Sequence, residues 1–242
     1  MIFNDKYSGD ENEIFNKTKF KEFNLPDDTN YTTRSLELIY PMYCRWLNAR
    51  HGMYVVKFEL SVPDNLDNPD NRGSFCSEAL IDYLFHRVQG DVGYRNTGSD
   101  KSIGLLWRTY RRDSSTVHEG HFLIPMTEAE VIESPRGDKA PTPESVTNIF
   151  SRIIDKYNLS LYMGRFDDDP VELDFMYSKL GEGYRVIFND SSFELHEQGF
   201  VTLCEVAQLS IDKPDIDSTL FRARCGYNPV QSYFDASLYD PF

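Results

Sequence analysis

Hydrophobic and polar residues alternate along residues 54–62, and this period of two predicts a β-strand with one apolar face. A second and a third strand are expected over residues 103–110 and 119–126. The short polar segment 111–115 between them predicts a turn, so the two strands should form an antiparallel hairpin. Two shorter strands are expected further along the chain, over residues 171–175 and 184–188.

Apolar residues recur at helical spacing in four other segments, which predicts four helices. These helices are expected over residues 33–48, 74–88 and 142–157 and around residues 200–211. The order of the elements predicts an α+β fold built on an antiparallel sheet. Helices should lie mainly on one face of this sheet, which would leave the other face open to a ligand.

Three regions are expected along the chain. Residues 1–30 are rich in charge and poor in apolar residues, which predicts an acidic, poorly ordered arm. Residues 31–228 are expected to form a single domain, because this length can bury a substantial core. Residues 229–242 combine aromatic and acidic residues and are expected to form an extended tail.

The formal net charge of the chain is −14, which opposes binding to nucleic acid unless positive charge is concentrated in one place. The charge is uneven, because the segment from Arg165 to Phe242 holds six basic and fifteen acidic residues. Its densest acidic cluster is Asp167 to Asp169 with Glu172 and Asp174. This cluster is typical of a solvated loop, and it would also suit a cation or a basic protein partner.

No stretch approaches the roughly 18 apolar residues that a membrane span needs, and the first residues do not form a basic and then apolar leader. We therefore expect a cytoplasmic protein without a membrane segment. The four cysteines are widely spaced and form no CxxC motif, so reduced thiols are expected rather than a zinc site.

Glu119 and His121 should share one face of the third strand, since side chains two residues apart point the same way. A carboxylate and an imidazole in this arrangement can reach one divalent cation, such as Mg²⁺ or Mn²⁺, and Glu59 on a neighbouring strand could be a third ligand. The alternative is a polar pair on the surface.

The hairpin carries the one concentration of basic and aromatic residues that stands out in the sequence. Arginines can contact phosphates while aromatic rings stack on bases, so this group is a candidate DNA-binding site for single-stranded or hairpin DNA. The alternative is a solvated hairpin end. The residues concerned are Trp107, Arg108, Tyr110, Arg111 and Arg112.

Several segments resemble one known family in the same order along the chain. They are Arg50-His51, Tyr54 to Leu60, Gly104 to Arg108, Glu119 to Ile124, Phe200 to Lys213 and Phe221 to Gly226. Together they resemble the YagK/YfjJ-type replication-initiator-like family of filamentous phages, prophages and phage satellites, which is related to HUH endonucleases. The matching motifs are spaced and mostly hydrophobic.

The resemblance implies an HUH-type fold and a strand-cutting site, from which this chain departs. In the family a His-x-His motif holds a metal, and a later helix supplies a nucleophilic Tyr and a nearby Lys. Here Glu119 replaces the first His and His121 keeps the second. Glu205 stands where the Tyr is expected and Gln208 where the Lys is expected, so the implied nucleophile is lost unless Tyr177 or Tyr184 supplies a phenol.

Two functions follow as expectations. The first is a phage or mobile-element replication-initiator-like protein that binds DNA and is an inactive relative of the HUH endonucleases. The second is a catalytically dead, acidic protein-binding inhibitor or nucleic-acid mimic. It would act on a basic host or phage protein that itself binds nucleic acid.

Overall fold

The structure is a computed structural model. It describes residues 13–27, 29–49, 52–63, 77–95, 103–126, 128–133, 139–140, 142–163, 176–181, 183–188, 193–208 and 220–225. The helices are α1 Thr33–Ala49, α2 Ser77–Arg95, α3 Glu128–Glu133, α4 Glu144–Met163 and α5 Phe193–Cys204, and α5 continues into a 3₁₀ helix, Glu205–Ala207. The strands are β1 Ile14–Phe15, β2 Lys19–Phe20, β3 Phe23–Asn24, β4 Tyr31–Thr32, β5 Gly52–Pro63, β6 Gly104–Arg112, β7 Ser115–Pro125, β8 Lys139–Ala140, β9 Tyr177–Leu180, β10 Gly183–Ile187 and β11 Leu220–Cys225.

Seven of these strands form one antiparallel sheet in the order β11-β6-β7-β5-β10-β8, with β9 paired to the far half of β5. The long strands β5 and β7 stand at its centre and are paired along 11 positions, from Met53 with Pro125 to Pro63 with Ser115. Helices and an antiparallel sheet in one chain confirm the predicted α+β class.

The predicted antiparallel hairpin is present, but its turn is shorter than the expected segment 111–115. Strands β6 and β7 pair as far as Arg112 and Ser115, so the turn consists of Asp113 and Ser114. Asp113 has a φ of 53°, in the left-handed region that Asp tolerates better than most residues and that tight hairpin turns require. The sheet is tightest at Gly120, where an added Cβ would lie 2.4 Å from the carbonyl oxygen of Leu106.

Other elements differ from expectation at their limits. The helix expected around residues 200–211 begins earlier, at Phe193, and its 3₁₀ extension ends at Ala207. A short strand is found at Tyr177–Leu180, whereas the segment 171–175 lies outside the described residues.

Helices cover both faces of the sheet, which corrects the expectation that they lie mainly on one. Helices α2 and α4 pack on the face that carries Phe58 and Phe122. Helices α1 and α5 pack on the opposite face, against Val55, Leu106 and Leu123. The reason is that apolar residues occur at both odd and even positions of the central strands. Each face of the sheet therefore has apolar side chains that must be buried under helices.

Part of the N-terminal segment that was expected to be a loose arm contributes to the core. Phe20, Phe23 and Leu25 are buried in the same cluster as α1 and α5. The ring of Phe23 stacks on that of Phe200, with centroids 4.5 Å apart. A few aromatic side chains are enough to dock this otherwise charged segment. Residues 1–12 and the expected tail 229–242 lie outside the described residues.

Among the described helices, none combines the length and the apolar composition that a membrane crossing needs.

Candidate functional site

The candidate site lies on the α1/α5 face of the sheet, where the central strands change from apolar to charged residues. In register, Lys57 of β5 stands beside His121 of β7, and Glu59 stands beside Glu119. Arg108 of β6 is on the other side of Glu119. Because directly paired residues of antiparallel strands share a face, these side chains all point the same way.

The 3₁₀ helix places Glu205 over this face, where its carboxylate forms an ion pair with Lys57. About a third of the Lys57 side chain is exposed, so the pair lies at the edge of the covered region. The Lys57 Nζ atom is also 5.2 Å from the centre of the Tyr184 ring, on β10. Tyr184, Lys57 and Glu205 therefore form one contiguous group.

Arg108 connects the sheet to the end of the 3₁₀ helix. Its Nη2 and Nε atoms lie 2.9 and 3.2 Å from Oε2 of Glu119. Its Nη1 donates a hydrogen bond to the backbone carbonyl of Gln208. A guanidinium with its donors fixed in this way holds both partners in place.

Tyr110 lies between two guanidinium groups further towards the hairpin turn. Its ring centre is 5.3 Å from Arg108 and 5.5 Å from Arg112. Arg112 donates to the Tyr110 hydroxyl at 2.7 Å and pairs with Glu59 at 3.1 Å. Burial raises the pKa of Tyr110, with a further contribution from Glu119, and the hydrogen bond to Glu59 raises the pKa of Arg112.

His121 is buried beneath this layer of ion pairs, with 4% of its surface exposed, and its Nδ1 atom has no hydrogen-bond partner. Burial lowers the pKa of His121 to about 3, and the positive charges of Lys57 and Arg108 contribute to the decrease. The imidazole is therefore neutral at physiological pH. His118 points to the opposite face, where its Nδ1 atom is 3.0 Å from the Thr109 hydroxyl.

The structure brings together most of the predicted site residues, which the sequence had assigned to three separate roles. They are Glu59, Glu119 and His121, Glu205 and Gln208, and Arg108, Tyr110 and Arg112. Lys57 was not predicted as a site residue. It lies two residues before Glu59 in a predicted strand, so its side chain could have been placed on the same face.

Two predicted DNA-binding residues do not join this group. Trp107 is 7% exposed and packs in the core on the α2/α4 face, so it is not placed to stack on a base. Arg111 points to the same face as Trp107, because the two are four residues apart on one strand. Its Nη1 atom is 3.2 Å from the Thr116 hydroxyl. Strand geometry explains both, since neighbours of Arg108 and Arg112 must point to the opposite side.

On the far half of the same face, several side chains are exposed. Strand β9 pairs with β5 there, placing Lys179 beside Glu59 and Tyr177 beside Ser61. The Tyr177 side chain is 57% exposed, and Lys179 is also exposed. Together with Arg112, whose side chain is 47% exposed, they form the open half of the face.

The two glutamates predicted to bind a metal are each engaged by an arginine. Glu119 accepts from Arg108, and Glu59 pairs with Arg112. Within the described residues no group of three or more His, Cys, Asp or Glu side chains is arranged to hold a metal ion. In this arrangement a divalent cation would have to displace both guanidiniums, and its binding stays a prediction.

No family model, no curated protein and no solved structure matches the chain. The resemblance to replication initiators therefore depends on the motifs quoted from the sequence.

Proposed function

We propose that this protein is a replication-initiator-like protein of a phage or mobile element that binds DNA without cleaving it. The observation that supports DNA binding best is the open half of the face, where two exposed cationic side chains that flank Glu59 stand with one exposed aromatic ring. In a chain with a net charge of −14, Arg112 and Lys179 stand there beside the exposed Tyr177. Such a surface suits a single strand, with cations on phosphates and a ring under a base.

The loss of cleavage is supported by Glu205. The resemblance implies a tyrosine at this position, and the Glu205 carboxylate, which is paired with Lys57, cannot form the phosphotyrosine-type intermediate that a phenol would form. Tyr184 contacts this ion pair through its ring, the centre of which is 5.2 Å from the Lys57 Nζ atom. Under this proposal the protein binds DNA and forms no covalent intermediate with it.

The test is fluorescence anisotropy with a labelled single-stranded oligonucleotide and a labelled hairpin, measured from 50 to 200 mM salt. We expect the wild-type affinity to fall steeply with salt. In the variant Arg112→Ala/Lys179→Ala the slope of log K against log salt should decrease by about 0.7 for each phosphate that is no longer neutralised. Tyr177→Ala should weaken binding by about 1–3 kcal/mol with little change in slope.

Arg87→Ala is the matched control. Arg87 is an exposed arginine on α2, with its guanidinium 5.9 Å from the Tyr83 ring, so it also combines a cation with an aromatic ring. Its removal should leave DNA binding unchanged, since α2 packs on the opposite face. If Arg87→Ala weakened DNA binding about half as much as Arg112→Ala/Lys179→Ala, in proportion to the charge removed, binding would follow overall charge, which would contradict the proposed site.

A second candidate function is the capture of a basic host or phage protein. It is favoured by the pairing of Arg108 and Arg112 with carboxylates and by the net charge of −14. Under this alternative the wild-type protein would bind neither oligonucleotide at 50 mM salt and would compete with DNA for a basic nucleic-acid-binding protein.

A further inference from the structure

The covered half of the face carries two cationic side chains, Lys57 and Arg108, beside a buried imidazole. Lys57 and Arg108 stand on the two strands that flank β7, and His121 lies between and beneath them. The ammonium and guanidinium groups are the usual protein ligands of phosphate oxygens. The buried imidazole adds a ring nitrogen, Nδ1, that has no hydrogen-bond partner.

These donors are satisfied by oxygen atoms from the chain itself. Lys57 is paired with the carboxylate of Glu205, and Arg108 binds Glu119 and the Gln208 carbonyl. A carboxylate and a phosphate present the same kind of acceptor oxygens to a lysine or an arginine. Glu205 therefore holds the place at Lys57 that an external anion would take.

The Glu205 side chain can leave this place without unfolding its helix. The two residues after it, Val206 and Ala207, are buried in the α1/α5 core and anchor the backbone. The Glu205 side chain itself is 40% exposed, so a change of rotamer can move its carboxylate into solvent. A partly exposed ion pair of this kind contributes little to stability and is readily exchanged.

We propose that Lys57 and Arg108 form a binding site for a phosphate group, and that the carboxylate of Glu205 occupies this site in the resting protein. The inference goes beyond the proposed DNA contact on the open half of the face, because a small anion tests it without DNA. Lys57 and Arg108 provide the charge, and Glu205 sets the affinity by competing with the ligand.

The test is isothermal titration of inorganic pyrophosphate into wild-type protein and Glu205→Gln, at low salt and with a chelator present. Glutamine keeps the size of the side chain and removes the competing charge. We expect Glu205→Gln to bind pyrophosphate at least about tenfold more tightly than the wild type, since a hydrogen bond to a charged group contributes roughly 1.5–3 kcal/mol. The double variant Lys57→Met/Glu205→Gln should lose this gain.

Glu194→Gln is the matched control, because Glu194 is an exposed acidic residue at the start of α5. It removes the same charge from the same segment and should not change pyrophosphate affinity. Glu119→Gln removes the charge that is paired with Arg108 instead of the one paired with Lys57, and it should also increase pyrophosphate affinity. This variant tests the same site if Glu205→Gln does not fold. If neither variant binds pyrophosphate better than the wild type, the proposal is overturned.

A parallel titration with a short single-stranded oligonucleotide distinguishes the source of the phosphate. A gain with pyrophosphate alone supports a site for a free phosphate compound, and a gain with both supports a nucleic-acid phosphate. A gain that Glu194→Gln reproduces would mean that only overall charge had changed, and it would contradict the site. The DNA affinity of Arg112→Ala/Lys179→Ala tests the open half separately. The proposed DNA contact and the proposed phosphate site can therefore fail independently.

Discussion

The two faces of the central sheet are built from the same three strands and differ in what covers them. On the α2/α4 face, Phe58, Phe122 and Phe150 pack with ring centres 5.1 to 5.8 Å apart in an apolar core. On the α1/α5 face the apolar contacts stop at Val55 and Leu123, and ion pairs follow along the same strands. The α2/α4 face is therefore apolar along these strands, whereas the α1/α5 face changes from an apolar core to partly exposed ion pairs.

The largest effect is expected from a truncation on the apolar face. Phe122→Ala should lower the free energy of unfolding by about 3–5 kcal/mol, because it removes a buried ring and leaves a cavity. Urea denaturation measures this decrease. Tyr177→Ala on the open half of the other face is the control and should cost less than about 0.5 kcal/mol. Similar costs for the two variants would contradict the division of roles between the faces.

A smaller effect is expected from Arg108, which holds the ion-pair layer to the 3₁₀ helix. Arg108→Met should cost about 1–3 kcal/mol, because Glu119 and the Gln208 carbonyl lose their donor in a partly buried place. The double variant Arg108→Met/Glu119→Gln should recover part of this stability, since it removes the unpaired charge. Urea denaturation of both proteins checks this, and no recovery would argue against a direct coupling of the two side chains.

Acid should destabilise the protein through His121. Its pKa in the folded state, about 3, lies below the ordinary value of 6.5, so the unfolded state binds the proton more readily. The stability that neutral His121 contributes is complete above pH 6.5 and is lost as the pH falls from there towards 3. The slope from this one group is at most about 1.4 kcal/mol per pH unit.

Unfolding curves from pH 7 to 4 measure this contribution in the wild type and in His121→Leu. The variant should depend less on pH in this range, whereas His86→Gln, a change at an exposed histidine on α2, should behave as the wild type. An unchanged slope in His121→Leu would show that other groups account for the acid sensitivity.

The smallest effect is expected from the pair of Arg112 and Glu59, at the exposed end of the ion-pair layer. A double-mutant cycle with Arg112→Ala and Glu59→Ala should give a coupling energy of about 0.2–1 kcal/mol. Because the pair is partly exposed, the coupling should decrease further at 1 M salt. A coupling that is large and independent of salt would place this pair in a drier environment than the structure gives it.

Strand alternation was enough to predict the central strands and the hairpin and to place Glu119 and His121 on one face. Alternation did not predict which part of that face is buried. Val55 and Lys57 point to the same face, and only the packing of α1 and α5 buries one of them in the core. For the same reason the burial of His121 could not be predicted. Local pattern also gave no reason to expect Phe23 in the core, since its neighbours in sequence are charged or polar.

The long-range contacts of the site could not be derived from periodicity. Glu205 lies 148 residues from Lys57 in the sequence, and only the resemblance to replication initiators suggested that its segment returns to the sheet. Trp107 and Arg108 show the opposite problem. As a basic and aromatic pair they indicated one interface, but adjacent residues of a strand face opposite sides and only Arg108 belongs to the site.

The measurement that tests the central claim most directly combines native and denaturing gels on one set of reactions. The protein is incubated with labelled single-stranded and hairpin DNA at low salt, with Mn²⁺, with Mg²⁺ and with a chelator. The account predicts a retarded complex on the native gel and no covalent protein–DNA adduct on the denaturing gel. A covalent adduct would contradict the loss of the nucleophile, and the absence of any complex would contradict DNA binding itself.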